Sequence, residues 1–433
     1  MKDPIAVHTI SLGCPKNLTD TELLLGGLPG PARPVDRPED ARLVLVNTCG
    51  FIRPAVEESV AEILDAAQAL RGLDPKPLLA VAGCLVSRYG QELRDSLPEV
   101  DLWLSTHEIP DWPSRIANAL SRAPSVAPKR LLTSPPSYAY LKISEGCRHA
   151  CRFCTIPSIR GPLKSRPVRD LADEARHLLD SGRSELILVA QDLTAYGRDL
   201  GYEPGLRGLL KTLLPLKGLA RLRLLYLYPA GLTPGLLDFL KDAGPPLLPY
   251  FDIPLQHAHP DVLQSMGRPF AKDPRRVVDL VRDRFPEAAI RTSLIVGYPG
   301  ETRTHFEYLL RFVRETRFTH LGVFAFQAEE GTPAAKMPRQ VGMKTRQARR
   351  DAVMAAQAEI SEEWLEGFQG RELDVLVDAP HPEWPGLHVG RAWFQAPEID
   401  GVTYVSGPGV KPGAMVRATV DDTKTYDLVA LAG

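Results

Sequence analysis

EGCRHACRFC, Glu145 to Cys154, sets three cysteines at positions 147, 151 and 154 in the spacing C-x3-C-x2-C. The chain has 433 residues and six cysteines, so half of them fall within these eight positions. Isolated free cysteines usually behave as small buried hydrophobes, and a cluster of this kind points instead to metal chemistry. A structural zinc site takes four ligands, often as two C-x2-C pairs, whereas the local count is three. His149 sits inside the loop, badly placed to join both neighbours on one ion. A 4Fe–4S cluster held by three thiolates leaves one iron open to a substrate or cofactor, and thiolates suit such clusters. A zinc loop and a set of inert thiols are the competing readings, and each accounts for three ligands less well.

The loop follows a strand-like run, YAYLKI (138–143), which opens a series of six strand-then-helix units. The later strands are ELILVAQ, RLRLLYLY, LPYFDIP, IRTSLIV and THLGVFAF, with helices such as VRDLADEARHLLDSG between them, the last closed by Gly182. Six parallel units suggest a barrel short of the full eight, whose site gathers just past the strand ends. Gln191, Asp192, Tyr228, Pro229, Gln256, His257, the GYPGE turn (297–301) and Gln327 occupy those positions. Gly297 and Gly300 would let the backbone approach a ligand there, or serve only a tight turn. Gln191, Asp192 and Gln256 can bond polar groups of a ligand or cap their own loops. His257 and His259, two apart in a loop, are a weak metal signal.

Upstream, IAVHTISL, RLVLVN and LLAVAG read as nearly continuous apolar strands of a parallel sheet covered on both faces. NLTDTELLLGGL and PAVEESVAEILDAAQAL read as helices. Each strand runs directly into a cysteine: Cys14, Cys49 and Cys84. Ligands of open parallel sheets gather at the carboxyl ends of strands, so three cysteines 35 residues apart can converge there. Gly13, Gly50 and Gly83 would let the backbone come close to what is bound. The alternative for this triad is three ordinary buried thiols. Downstream, RELDVLVD, LHVGRAWF, VTYVSG, MVRATVD and YDLVALA, punctuated by PG, DG, GPG and KPG, suggest a small closed β-barrel of the OB type. A Pro- and Ser-rich stretch at 121–137 and a seam at Gly367–Gly370 divide the chain into about 1–133, 137–367 and 370–433.

Composition is that of an ordinary globular protein, 44% hydrophobic and 24% charged, with a formal net charge of -1. Nothing global suggests a nucleic-acid partner, no apolar run is long enough for a membrane span, and MKDPIAVHTI lacks the features of a signal peptide. A cytoplasmic location is the expectation.

Taken together, these features resemble the radical S-adenosylmethionine (SAM) superfamily, and within it the methylthiotransferases, over essentially the whole chain. SLGCPKNLTDTE, NTCGFI, YAYLKISEGC, CTIPSIRGPLKSRP, QDLTAYG, DIPLQHA, VGYPGET and APEIDG carry the likeness. SLGCPKN and QDLTAYG favour the branch that modifies an aspartate in protein twelve of the small ribosomal subunit over the tRNA branch. In GRAWFQAPEIDG the chain departs from that branch, which has small residues at the positions of Trp393 and Phe394. The resemblance implies an N-terminal Rossmann-like parallel α/β methylthiotransferase domain, a partial (βα)6 radical SAM barrel and a C-terminal OB-like TRAM barrel. It implies two 4Fe–4S clusters. Cys147, Cys151 and Cys154 would hold the one that cleaves SAM to a 5′-deoxyadenosyl radical, and Cys14, Cys49 and Cys84 the one that carries the transferred sulfur. A second SAM would supply the methyl group. SAM contacts are expected from Gln191, Gln256, Gly297 and Gly300, and an electron donor such as flavodoxin or ferredoxin.

Residues 371–433 carry five Lys or Arg against nine Asp or Glu. An acidic barrel would repel phosphate and attract a basic ribosomal protein, so RNA contact is not indicated. A tRNA methylthiotransferase is the alternative within the family. A non-catalytic iron–sulfur electron carrier is the alternative from another class, and it would want closed four-ligand clusters and no SAM pocket.

Overall fold

The computed structural model describes residues 3–123 and 130–433. The Pro-rich stretch expected at 121–137 therefore lies partly outside the described residues. Its described end is pinned: Arg130 pairs with buried Glu22 at 2.5 Å, and the Thr133 amide donates to the same carboxylate at 2.7 Å. The chain divides into two compact units.

The first unit comprises Met1–Thr133 with Glu145–His149 and Cys154–Leu163. Its sheet contains β1 (Ile5–Ser11), β2 (Ala32–Pro34), β3 (Leu43–Thr48), β4 (Leu78–Gly83) and β5 (Leu102–Ser105), all parallel, in the order β2-β1-β3-β4-β5. Side chains alternate across a strand, and β3 does so between two apolar layers. Leu43 and Leu45 join Leu24, Trp112 and Ile116 on one face, while Val44 and Val46 join Ile63, Ala66 and Leu85 on the other. The helices over these faces include α1 (Pro15–Gly26), α2 (Arg53–Ala69) and α3 (Cys84–Ser96). The three strands and two helices expected here are present. β2 and β5, which flank them, were not legible as strands.

The second unit comprises Ser134–Ser144, Ala150–Phe153 and Lys164–Gly433. Six parallel strands follow one another in chain order: β6 (Tyr138–Lys142), β7 (Glu185–Val189), β8 (Arg221–Leu224), β9 (Leu247–Asp252), β10 (Ala289–Val296) and β11 (His320–Ala325). Gly182, at a φ of 94°, follows the first intervening helix as expected. A 24-residue helix, Met343–Glu366, leads into a closed five-stranded barrel of β12 (Glu372–Pro380), β13 (His388–Arg391), β14 (Thr403–Ser406), β15 (Met415–Thr423) and β16 (Leu428–Ala432).

LHVGRAWF is not one strand. β13 stops at Arg391, and the chain from Ala392 to Asp400 turns onto the amino-terminal ends of the six-stranded sheet. Arg391 reaches Glu185, Arg223 donates to the Trp393 carbonyl at 2.9 Å, and His320 bonds the Phe394 carbonyl at 2.6 Å. Asp400 takes the Tyr250 hydroxyl and an Arg291 N–H, each at 2.7 Å. The Phe394 ring lies 4.7 Å from Trp364 and 4.8 Å from Phe368. Trp393 and Phe394 thus belong to an internal seam, with Phe394 fully buried. The acidic count of the barrel changes too. Asp378 and Asp400 turn inward to Arg391 and Arg291, which leaves four cations and seven acids toward solvent.

Candidate functional site: two cysteine sets, each with a buried arginine

Three loops at the carboxyl edge of the first sheet carry Cys14, Cys49 and Cys84. Cys14 caps α1, Cys49 follows β3, and Cys84 opens α3. The loops lock together through side-chain amides. Asn17 donates to the carbonyls of Leu12 (2.9 Å) and Thr48 (3.0 Å), and Asn47 donates to the Asn17 carbonyl (2.8 Å) and the Thr21 hydroxyl (2.9 Å). Two glycines make the approach possible. A Cβ on Gly13 would stand 2.9 Å from the Cys49 Cβ, and one on Gly83 would stand 2.5 Å from the Thr48 carbonyl. Both have positive φ, at 89° and 103°. These glycines let the cysteine loops approach each other, a role the reading of them as ligand-facing did not include.

Arg160, at the end of the short helix Ile156–Arg160, lies within this unit. Its side chain is 1% exposed. Nε donates to the Cys84 sulfur at 3.3 Å, and the guanidinium also pairs with Asp20 at 3.1 Å and Glu145 at 2.9 Å and donates to the Asn17 side-chain oxygen. Burial pushes the Cys14 thiol up, but Lys16 and Arg160 outweigh it and bring it below its ordinary value. Burial pushes Cys49 up to about 11, helped by charge on Cys84 and Cys14, and raises Cys84 against the pull of Arg160. The three thiols therefore sense one another's charge. Soft sulfur donors brought together at a strand edge beside fixed positive charge fit a bound cluster, whose iron would replace the protons.

In the second unit, Cys151 accepts from Nη1 of buried Arg268 at 3.3 Å. That guanidinium lies 4.5 Å over the Tyr228 ring and 4.9 Å from Phe270, and bonds the Pro254 carbonyl at 2.5 Å. Cys147 and Cys154 lie in stretches that pack within the first unit; the Cys147 amide donates to the Gly161 carbonyl at 3.1 Å, and its sulfur accepts from the His149 amide at 3.4 Å. None of the six cysteines is in a disulfide.

Gln191 stands two residues past the end of β7. Asp192 accepts from the Thr194 amide at 2.8 Å, so it caps its own turn. Gln256 adopts a φ of 75° with its backbone bonded to Ser293 and Ile295. The GYPGE turn closes on itself: Glu301 accepts from the amides of Gly297 (2.6 Å) and Tyr298 (3.2 Å), and Arg349 holds the carboxylate at 2.8 Å. The Gly300 amide donates to the Arg339 carbonyl at 2.9 Å. A side chain at Gly297 would meet Arg346. Burial pushes His257 down to about 3, so it is neutral, and it accepts from the His259 amide.

His259, Asp261 and His305 bring ligand atoms within 4.8 Å of one another. Each ring, however, accepts a backbone N–H at Nδ1, His259 from Asp261 and His305 from Thr302. The proton then sits on Nε2, and these residues act as helix caps rather than ligands.

Family models match three parts of the chain: "Radical SAM superfamily" over residues 141–313, "Uncharacterized protein family UPF0004" over 6–105 and "TRAM domain" over 370–432. A relative from Oleidesulfovibrio alaskensis, ribosomal protein uS12 methylthiotransferase RimO, is 66% identical over 99% of this chain and 100% of its own. The chain belongs to the RimO family. Relatives of the same name from Nitratidesulfovibrio vulgaris and Lawsonia intracellularis are 64% and 54% identical, over 99% and 98% of this chain and 100% and 97% of theirs. Among solved structures, the radical SAM methyltransferase TsrM from Kitasatospora setae, with cobalamin and a 4Fe–4S cluster bound, has a TM-score of 0.55 at 15% identity, covering 90% of this chain and 81% of its own. That likeness shows the fold. RimO membership also assigns the three-part architecture: a parallel α/β sheet, a radical SAM domain and a closed TRAM barrel. The arginines beside the cysteines escaped the sequence reading. Arg160 lies in plain view within CTIPSIRG, but only the fold reveals that it reaches back 76 residues to Cys84.

Proposed function

We infer that this chain is a radical SAM methylthiotransferase that places a methylthio group on the β-carbon of an aspartate in ribosomal protein uS12. The observation that carries this is 66% identity, over 99% of the chain, to a uS12 methylthiotransferase. Both cysteine sets accompany it. Cys147, Cys151 and Cys154 would hold one 4Fe–4S cluster and Cys14, Cys49 and Cys84 the other. With SAM, these groups supply the radical, sulfur and methyl chemistry, which no protein acid or base could perform on an unactivated carbon.

The chain's own residues position and shield. Asn17 and Asn47 hold the three loops of the first set in one arrangement. Arg268 fixes Cys151 from one side while its stack on Tyr228 and Phe270 excludes water. Gln191 and Gln256, at the strand ends, would bond polar groups of SAM. Gly297, whose amide closes its turn onto Glu301, and Gly300, whose amide donates to the Arg339 carbonyl, would face SAM by close backbone contact. The seven acids that the TRAM barrel turns to solvent favour a basic protein substrate over phosphate. A reduced flavodoxin or ferredoxin is the electron donor we propose, and the cytoplasm, where ribosomes are assembled, the location. Among the described residues no helix is long and apolar enough to cross a membrane.

The test is deletion of the gene in its host, followed by the mass of small-subunit proteins beside the methylthio-nucleosides of total tRNA. Loss of the methylthio increment on uS12 with tRNA unchanged is expected. Loss of a methylthio-nucleoside with uS12 unchanged would move the chain to the tRNA branch.

A further inference from the structure

Arg160 is placed unlike an ordinary buried ion pair. A guanidinium enclosed by two carboxylates has its charge matched already, by Asp20 and Glu145. Yet its Nε, the donor nearest the chain, points at neither and instead donates to the sulfur of Cys84 at 3.3 Å. The Cys84 sulfur in turn lies 3.7 Å from the Asn17 side-chain oxygen, which accepts from the same guanidinium. Sulfur, amide and guanidinium thus form a closed triangle with every member buried. The carboxylates hold the arginine, and the arginine holds the sulfur.

We propose that Arg160 is a positioning residue for the cluster bound by Cys14, Cys49 and Cys84, fixing the Cys84 ligand and tuning the cluster through a charge-assisted N–H···S bond. The inference rests on the cluster reading of these cysteines. Hydrogen bonds to ligand sulfurs and nearby charge are established levers on cluster potential, because they favour the electron-richer, reduced state. Such a bond is also stronger in a buried site than in water. Lysine would keep the charge but has no donor in the Nε position, and its single ammonium cannot serve two carboxylates, an amide and a sulfur in one plane.

The experiment uses the full chain with Cys147, Cys151 and Cys154 all replaced by Ala, so that only the first set can bind iron. Iron and sulfide are measured after anaerobic reconstitution, and the midpoint potential by a reductive titration followed by electron paramagnetic resonance. Arg160→Lys and Arg160→Gln are then compared in that background, with circular dichroism as a check on folding. The expected result is a more negative potential in the Lys chain and a larger shift, with altered resonance, in the Gln chain. If the Gln chain does not fold, the Lys chain decides: a lowered potential supports the role, and an unchanged one overturns it. Unchanged potentials in two folded, iron-loaded variants would make Arg160 a structural ion-pair hub only. Absence of iron in the background chain with Arg160 intact would instead overturn the cluster reading itself.

Discussion

Glu185 and Arg391 stand 206 residues apart in the chain and meet at 2.8 Å, their side chains 0% and 1% exposed. Glu185 also takes Nε of Arg223 at 2.8 Å, and Arg391 also takes Asp378 at 2.7 Å. A strand of the six-stranded sheet and a strand of the small barrel are thereby joined through buried charge. Truncating one partner of such a pair leaves an uncompensated ion, at a cost of about 3–5 kcal/mol. Glu185→Gln should therefore lower the thermal midpoint markedly, and differential scanning calorimetry will detect it. A midpoint unchanged from the parent would contradict the pairing.

The same carboxylate gives a pH dependence. Burial pushes Glu185 up, but Arg391, Arg223 and Arg221 overcome this and hold it at about 2, against an ordinary 4.5. A depressed carboxylate contributes stability that is complete above its unfolded value and lost as pH falls toward the folded one. Urea midpoints of the parent should fall between pH 4.5 and about 2. Glu185→Gln should start lower and lose less over that window.

Phe394 fills the seam between the long helix and the barrel, against Trp364 and Phe368. Phe394→Ala should cost about 3–5 kcal/mol, as for other large buried aromatics. The result to watch is early protease cleavage near Gly367–Gly370. Resistance equal to the parent's would show that the seam closes without the ring.

Gly83 combines a φ of 103° with a ψ of -158°, a region in which essentially only glycine is at ease. Gly83→Ala should cost about 1–3 kcal/mol from backbone strain. It should also push the Cys49 and Cys84 loops apart, since the new methyl would meet Thr48 and Asn47. Iron bound by the first cysteine set should drop while the second set still loads.

Cys151→Ala should abolish 5′-deoxyadenosine formation from SAM and halve the iron per chain, with the circular dichroism spectrum retained. Full SAM cleavage by this variant would remove Cys151 from the cluster.

Much of this architecture can be read locally. Val44 and Val46 against Leu43 and Leu45 announce a strand covered on both faces, and a cysteine directly after each of three such strands announces a shared edge. Ala32–Pro34 and Leu102–Ser105 escaped because three or four residues hold too few alternations to establish a period. The strand reading of LHVGRAWF overran its end because Trp and Phe favour strands, whereas here they fill a seam. Arg160, Arg268 and Arg391 were unreadable for a different reason. A buried arginine is defined by partners far away in sequence, and its own neighbours in the chain say nothing of them.

The position of Arg160 has a temporal consequence. A ribosome that has just released the first sheet has delivered all three thiols of the first set, the last of them at Cys84. The guanidinium that meets Cys84 lies 76 residues further along the chain, and Glu145, one of the carboxylates that steadies it, also comes later. Order of synthesis thus separates possession of the three thiols from completion of their surroundings. A nascent chain could capture iron early, but the pocket would acquire its buried countercharge only once the loop bearing the other cysteine motif had left the exit tunnel.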